Sequence, residues 1–189
     1  MTTKRRGILF TAVVLASVAG TTVWWANQPK SVPAEAWHEF SPPDCGCSLD
    51  VPGPPMPLAR LGVEGVVQFT RMYTWPPFGH DFDHRFRYLE FTEIASKRDL
   101  LTELYAAELR RAQDELKGVL VEETEISLGV HAGKEFQVRS ADKELVVERI
   151  YLVKTRPEHQ IYLLVAGGKG ARRGHKDITR FFDSFRIDH

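Results

Sequence analysis

Apolar and polar positions follow several different rhythms along this chain, and each rhythm predicts an element. The first has no alternation: residues 7–26, "GILFTAVVLASVAGTTVWWA", run for twenty residues without a formal charge behind Lys4, Arg5 and Arg6. A stretch of that length can cross a bilayer as a helix. Residues 27–36, "NQPKSVPAEA", are polar with two prolines and predict a linker. Cys47, Leu49 and Val51 then alternate with Ser48 and Asp50, which predicts a first strand ended by a Pro52-Gly53 turn. Residues 63–73 are rich in β-branched and aromatic side chains, and Pro76 and Pro77 interrupt the pattern after Trp75. From Asp81 onward, Phe82, Phe86 and Tyr88 fall on one face and Asp81, Asp83, Arg85 and Arg87 on the other. These two stretches predict a hairpin with one face buried and one in water.

The period then becomes helical. Ser96, with Asp99 three residues later, offers a variant of the capping box. Leu101, Tyr105, Leu109, Ala112 and Leu116 form one apolar stripe flanked by Leu100 and Leu104, while Glu103, Arg110, Asp114 and Lys117 lie away from it. The stripe predicts a helix resting on a sheet, with Gly118 as its C-terminal cap. Four β-rich stretches follow, "VLVEETEISL", "KEFQVRS", "ELVVERIYLVK" and "QIYLLVAG", with turn signals at residues 129–133, Ala141-Asp142 and Arg156-Pro157. Such short connections favour antiparallel neighbours. Ile178, Phe181, Phe182 and Phe185 recur at helical spacing near the end and predict a second, shorter helix. The sum is an α+β domain: an antiparallel β-sheet packed with one long and one short helix, preceded by an N-terminal transmembrane helix.

Composition changes this picture only in part. A chain of 189 residues suits one domain with a tail, and 25 basic against 25 acidic residues provide no general attraction to nucleic acid. Lys4, Arg5 and Arg6 should stay cytoplasmic, with Trp24 and Trp25 as an aromatic belt at the far interface. Ser17-Val18-Ala19 also offers small residues for a signal peptidase, so the segment is either a retained anchor or a signal peptide cleaved after Ala19. The organisation expected is residues 1–26 as signal anchor or signal peptide, 27–36 as linker, and 37–189 as an exported domain. The location is then the cell membrane, single-pass with an exported C-terminal domain, or secreted or periplasmic after cleavage.

"FSPPDCGCSLDVPGPP", "LGVHAGKEFQV", "RIYLVKTRPEHQIYLLVAGG" and "RFFDSF" together resemble a group of uncharacterised exported bacterial proteins and, distantly, the PsbP-like fold of photosystem extrinsic proteins. The resemblance spans residues 40–187 and implies an antiparallel sheet between helices. It also implies a turn at Pro52-Gly53, a turn and a core side chain at Gly133 and Phe136, and a docking face at Phe182 and Phe185. Two departures stand out. Cys45 and Cys47 occupy positions where the family pattern has a glycine and a large apolar residue, and residues 63–84 are longer than the pattern expects.

Candidate chemistry is sparse. Cys45 and Cys47 are half of a tetrahedral metal site at most, and a disulfide between them would close a very small, strained ring. The structural alternative turns Cys47 inward as a small core residue and leaves Cys45, at the domain entrance, free or paired between chains. "HDFDH", residues 80–84, is the best metal-like cluster, but on a strand His80 and His84 share a face with Phe82 while Asp81 and Asp83 face away; a solvated hairpin tip is the simpler expectation. "AGGKGARRGHK", residues 166–176, is glycine-rich and basic, yet Leu163 and Gly170 stand where a P-loop needs glycine and Ser or Thr. It predicts a flexible loop, with a weak anion-binding surface at Arg172 and Arg173 as the alternative. Glu122 to Glu125, "EETE", predict an exposed strand end. His38, His131, His159 and His175 are scattered, and the sequence holds no G-x-S-x-G, H-E-x-x-H or G-x-G-x-x-G motif.

The expectation is a non-catalytic cell-envelope protein whose exported domain binds a ligand or protein partner, with no cofactor and no nucleic acid. The alternative is a metal-dependent hydrolase or other enzyme using the cluster at residues 80–84, with His80, His84, Cys45 and Cys47 as the weak metal candidates.

Overall fold

The computed structural model describes residues 31–58, 67–75, 82–92, 100–154 and 158–188. Residues 7–26, the Ser96 cap, His80, Asp81 and the Arg156-Pro157 turn lie outside the described residues.

The strands are β1 (Trp37–Phe40), β2 (Cys47–Pro52), β3 (Met56–Leu58), β4 (Val67–Trp75) and β5 (Asp83–Thr92), then β6 (Val119–Leu128), β7 (His131–Arg139), β8 (Glu144–Lys154), β9 (Glu158–Lys169) and β10 (Arg186–Ile187). The long helix, α1 (Leu100–Leu116), separates the two groups of strands, and the short helix, α2 (Lys176–Asp183), precedes β10. The α+β architecture with one long and one short helix is therefore as the residue pattern predicts. Strand Cys47–Pro52 is the second strand, since Trp37–Phe40 pairs with it antiparallel from within the segment just before it.

Seven strands form one sheet in the order β3-β4-β5-β9-β8-β7-β6, and every described pairing in it is antiparallel. The hairpin β4-β5 and the meander β6-β9 are each legible locally. They become one sheet because β5 pairs with β9 over its whole length, from Asp83↔Gly167 to Thr92↔Glu158. Strand β9 is central and covered on both faces, so it carries an unbroken buried run from Ile161 to Gly167 in place of an alternation.

The two faces bury different sets. On one, Phe82, Phe86, Tyr88, Tyr162, Leu164, Leu145 and Val147 meet Ile178, Phe181, Phe182 and Phe185 of the C-terminal segment, together with Trp37, Cys47, Leu49 and Val51 from the small β1-β2-β10 ribbon. On the other, Leu89, Phe136, Val138, Ile150, Ile161 and Leu163 receive Tyr105 and Ala112 of α1. The sheet thus lies between the two helices. Burial of these aromatic and aliphatic surfaces, at roughly 25 cal/mol per Å², is the dominant stabilising contribution.

The ends of the helices hold two surprises. At α1 the left-handed capping position belongs to Lys117 (φ +48°), with the Lys117 N–H donating to Asp114 O at 3.4 Å and the Gly118 N–H to Gln113 O at 3.0 Å. Gly118 is glycine for another reason: a Cβ there would lie 2.8 Å from Arg139 O. At α2 the cap is His175, whose side chain accepts the Asp177 N–H.

Of the segment expected as linker, residues 27–30 lie outside the described residues, and the rest packs on the domain. Ala34–Ala36 form a turn of 3-10 helix, and Val32 is 4% exposed, its N–H donating to the buried Asp177 carboxylate at 2.8 Å. Proline content suggested a linker, but an apolar side chain with a carboxylate to receive its N–H docks instead.

Candidate functional site

The polar face of β5 is only half open to water: α1 packs on the neighbouring β7 and β8 and reaches this face through Glu108, which pairs with Arg87, while Arg85 at its edge stays partly exposed. The register sets Arg85 beside Val165, and Val165 beside Glu148, in one row across β5, β9 and β8. Arg87, Leu163 and Ile150 form the next row. From above, α1 contributes Glu108, Arg111 and Glu115. The result is a cleft of about 220 Å³ between helix and sheet, lined by Met72, Arg85, Arg87, Arg111, Glu115, Glu148, Leu163 and Val165. A smaller recess continues it past Leu116 toward Asp83 and Glu144.

The charges in the cleft are linked in sequence. Arg87 donates to Glu108, whose second oxygen accepts from Arg111 Nε at 2.7 Å. Arg111 also reaches Glu115 at 2.8 Å and Glu148 Oε2 at 3.2 Å, and Arg85 stands 3.9 Å from Glu115. Glu148 is 0% exposed, and its Oε1 accepts no hydrogen bond from the described residues. A buried carboxylate with one oxygen unmatched is costly, because desolvation of the charged form is only partly repaid. Burial accordingly raises the Glu148 pKa to about 7, outweighing the opposing pull of Arg111, Arg87 and Arg85. Burial also lowers the Arg87 pKa below the ordinary arginine value, with Glu148 acting in the other direction.

The residues singled out from sequence fall elsewhere. His84 is 0% exposed on the opposite face, its ring 5.6 Å from Trp37 and 5.0 Å from Phe181. The expected solvated hairpin tip is therefore wrong for His84, because the aromatic face of β5 continues through it beneath α2. Asp83, its neighbour, faces the α1 side. Among the described residues, no group of three or more His, Cys, Asp or Glu side chains gathers as a metal would require. His80 lies outside the described residues.

Cys45 and Cys47 are both free and 1% exposed, with no disulfide between them. Burial pushes the Cys45 thiol up to about 12 and raises Cys47 further, so neither is a ready thiolate nucleophile. Their segment is tied down at both ends: Cys45 O accepts the Tyr162 hydroxyl at 2.8 Å, and Gly46 O accepts the Asp188 N–H at 2.9 Å. Cys47 fills a core position, as its place in the alternation predicts. Cys45 is buried too, which leaves no exposed thiol for pairing between chains.

The residues that form the cleft were not singled out from sequence, although two signals were present. Glu108 lies three residues after Tyr105 and four before Ala112, on the apolar stripe of α1 itself. Glu148 is an acid in the interior of the β-rich run "ELVVERIYLVK", whose other acid, Glu144, stands at its start. A charged side chain at a core position asks for partners.

No protein-family model matches the chain, and no curated protein matches it. Among solved structures it is similar to a cyanobacterial PsbP (CyanoP) from Synechocystis, with 10% identity over 84% of this chain and 96% of that one and a TM-score of 0.47. It is also similar to LpqN of Mycobacterium tuberculosis, described as involved in cell envelope biogenesis, with 11% identity over 84% of this chain and 82% of that one and a TM-score of 0.37. At these scores PsbP likeness stays a resemblance, and the functional reading rests on the cleft.

Proposed function

We propose that this chain is a non-catalytic cell-envelope protein, held or exported through its N-terminal segment, whose domain binds a small anionic ligand with an apolar body in the cleft between α1 and the sheet. The observation that carries this reading is Glu148, buried in the cleft wall with Oε1 unmatched beside the guanidinium groups of Arg111, Arg87 and Arg85. When Glu148 takes up a proton, three guanidinium groups face the two carboxylates of Glu108 and Glu115, an excess of one positive charge. A monoanion satisfies that excess and accepts the proton of Glu148 as a hydrogen bond. Met72, Leu163 and Val165 supply apolar surface for the rest of the ligand. Arginine holds its proton throughout the neutral range, whereas burial brings Glu148 into it, and the cleft lining among the described residues holds no nucleophile beside it. That supports binding rather than turnover.

Calorimetric titration of the full chain with hexanoate, hexylammonium and hexanol tests this. Hexanoate is expected to bind near pH 6 and to weaken on the order of tenfold for each pH unit above the Glu148 pKa of about 7. Arg111→Gln should abolish binding, and Glu148→Gln should keep it but remove the pH dependence. A preference for hexylammonium, or no binding of hexanoate, would sink the proposal.

A further inference from the structure

Val32 is the first buried residue among those described, held through its side chain and its N–H on Asp177 at the start of α2. The apolar run that can enter a bilayer ends at Ala26, which leaves residues 27–31 between the two. Fully extended, so short a connection spans no more than about 20 Å. The face of the domain bearing Val32 and the start of α2 is then turned toward the membrane.

That same face carries the basic segment 169–176, which the cleft does not use. Lys169, Arg172, Arg173 and Lys176 are all exposed. The segment is a folded turn rather than a loose loop: Ala171 is buried, its N–H donates to Gly168 O at 3.2 Å, and the His175 N–H donates to Arg172 O at 3.0 Å. Gly170 and Gly174 adopt the left-handed conformation that the turn requires (φ +76° and +79°). Arg173 is engaged by Glu122 and lies 3.8 Å from Glu135, which fastens the turn to the sheet. Lys169, Arg172 and Lys176 make no ion pair among the described residues. Asp177 is buried on Val32, and the acids nearest the turn are Glu144, opposite Lys169 across β8 and β9, and Glu122, already engaged by Arg173; Glu35 of the 3-10 turn is exposed.

We infer that the turn at residues 169–176 is a membrane-contact surface whose partner is the anionic headgroup layer of the lipid bilayer. The short connection brings the cations toward the surface, and within about a Debye length, roughly 8 Å, anionic lipid attracts each of them. The turn holds them in place, so little ordering is needed on contact. This inference depends on retention of the apolar run and is independent of the cleft.

The test uses the full chain in nanodiscs of pure phosphatidylcholine and of phosphatidylcholine mixed with phosphatidylglycerol, with trypsin cleavage after Arg172 and Arg173 as the readout. Phosphatidylglycerol should slow that cleavage on the order of tenfold, with molar salt reversing the effect. Lys169→Gln with Lys176→Gln should remove most of the protection while cleavage elsewhere in the chain stays unchanged. Equal cleavage in the two lipids would overturn the inference. So would protection that needs a second protein, or recovery of a native chain beginning at Gly20.

Discussion

At the residue scale, Glu148 shows how burial and pairing compete. Its pKa is raised from 4.5 to about 7, so the folded state holds a proton that the unfolded state has released between those values. Stability should fall as pH rises from about 4.5 to about 7 and level off above, a loss on the order of 3 kcal/mol from this group. Glu148→Gln should flatten that part of the curve, as read by urea denaturation across the range; an unchanged slope would show that Glu148 is not the source. The two cysteines illustrate burial without pairing. With thiols 1% exposed, native protein should resist a thiol reagent until it unfolds, and then react at both positions. Fast labelling of either in the native state would contradict the buried placement.

At the element scale, the end of α1 separates two roles that sequence merges into one glycine. Lys117 carries the positive φ, so Lys117→Gly should stabilise by about 0.5–1 kcal/mol. Gly118→Ala should destabilise by about 1–3 kcal/mol, because its Cβ would press on the Arg139 carbonyl, which is backbone and cannot swing aside. Thermal melts of the two variants should therefore shift in opposite directions. If Gly118 were the cap, both substitutions would destabilise. Helix α2 is likewise fixed by groups distant in sequence: the Asp50 N–H donates to Ser184 Oγ at 2.8 Å, and Arg180 Nε donates to Asp50 Oδ2 at 2.9 Å while its guanidinium stacks 5.0 Å above Trp37.

At the scale of the whole molecule, the N-terminal boundary of the domain affects its stability. A chain beginning at residue 37, where the apolar pattern resumes, loses Val32 and leaves the buried Asp177 carboxylate without the Val32 N–H. Compared with a chain beginning at residue 31, it should be less stable by about 1–3 kcal/mol in chemical denaturation. Equal stability would show that Val32 contributes nothing to the fold. The same attachment turns one end of the domain toward the bilayer in the membrane proposal, so boundary and orientation share one physical cause.

The sequence by itself determined most of the elements, because each is written in local periodicity: the stripe of α1, the four strands after it, the hairpin around residues 67–92 and the apolar face of α2. It also determined that Cys47 enters the core, since position on an alternating strand decides that. Only the tertiary structure decided that β5 lies against β9, a pairing between segments some seventy residues apart that no local pattern encodes. From that pairing the cleft follows. Arg85 and Arg87 read as a solvated face until α1 brings Glu108 and Glu115 beside them, and Glu148 becomes a buried acid only when the helix packs on the sheet. Polar residues signal their fate weakly, because water and a distant opposite charge satisfy them equally well. Which of the two a side chain meets is settled only when the chain has folded.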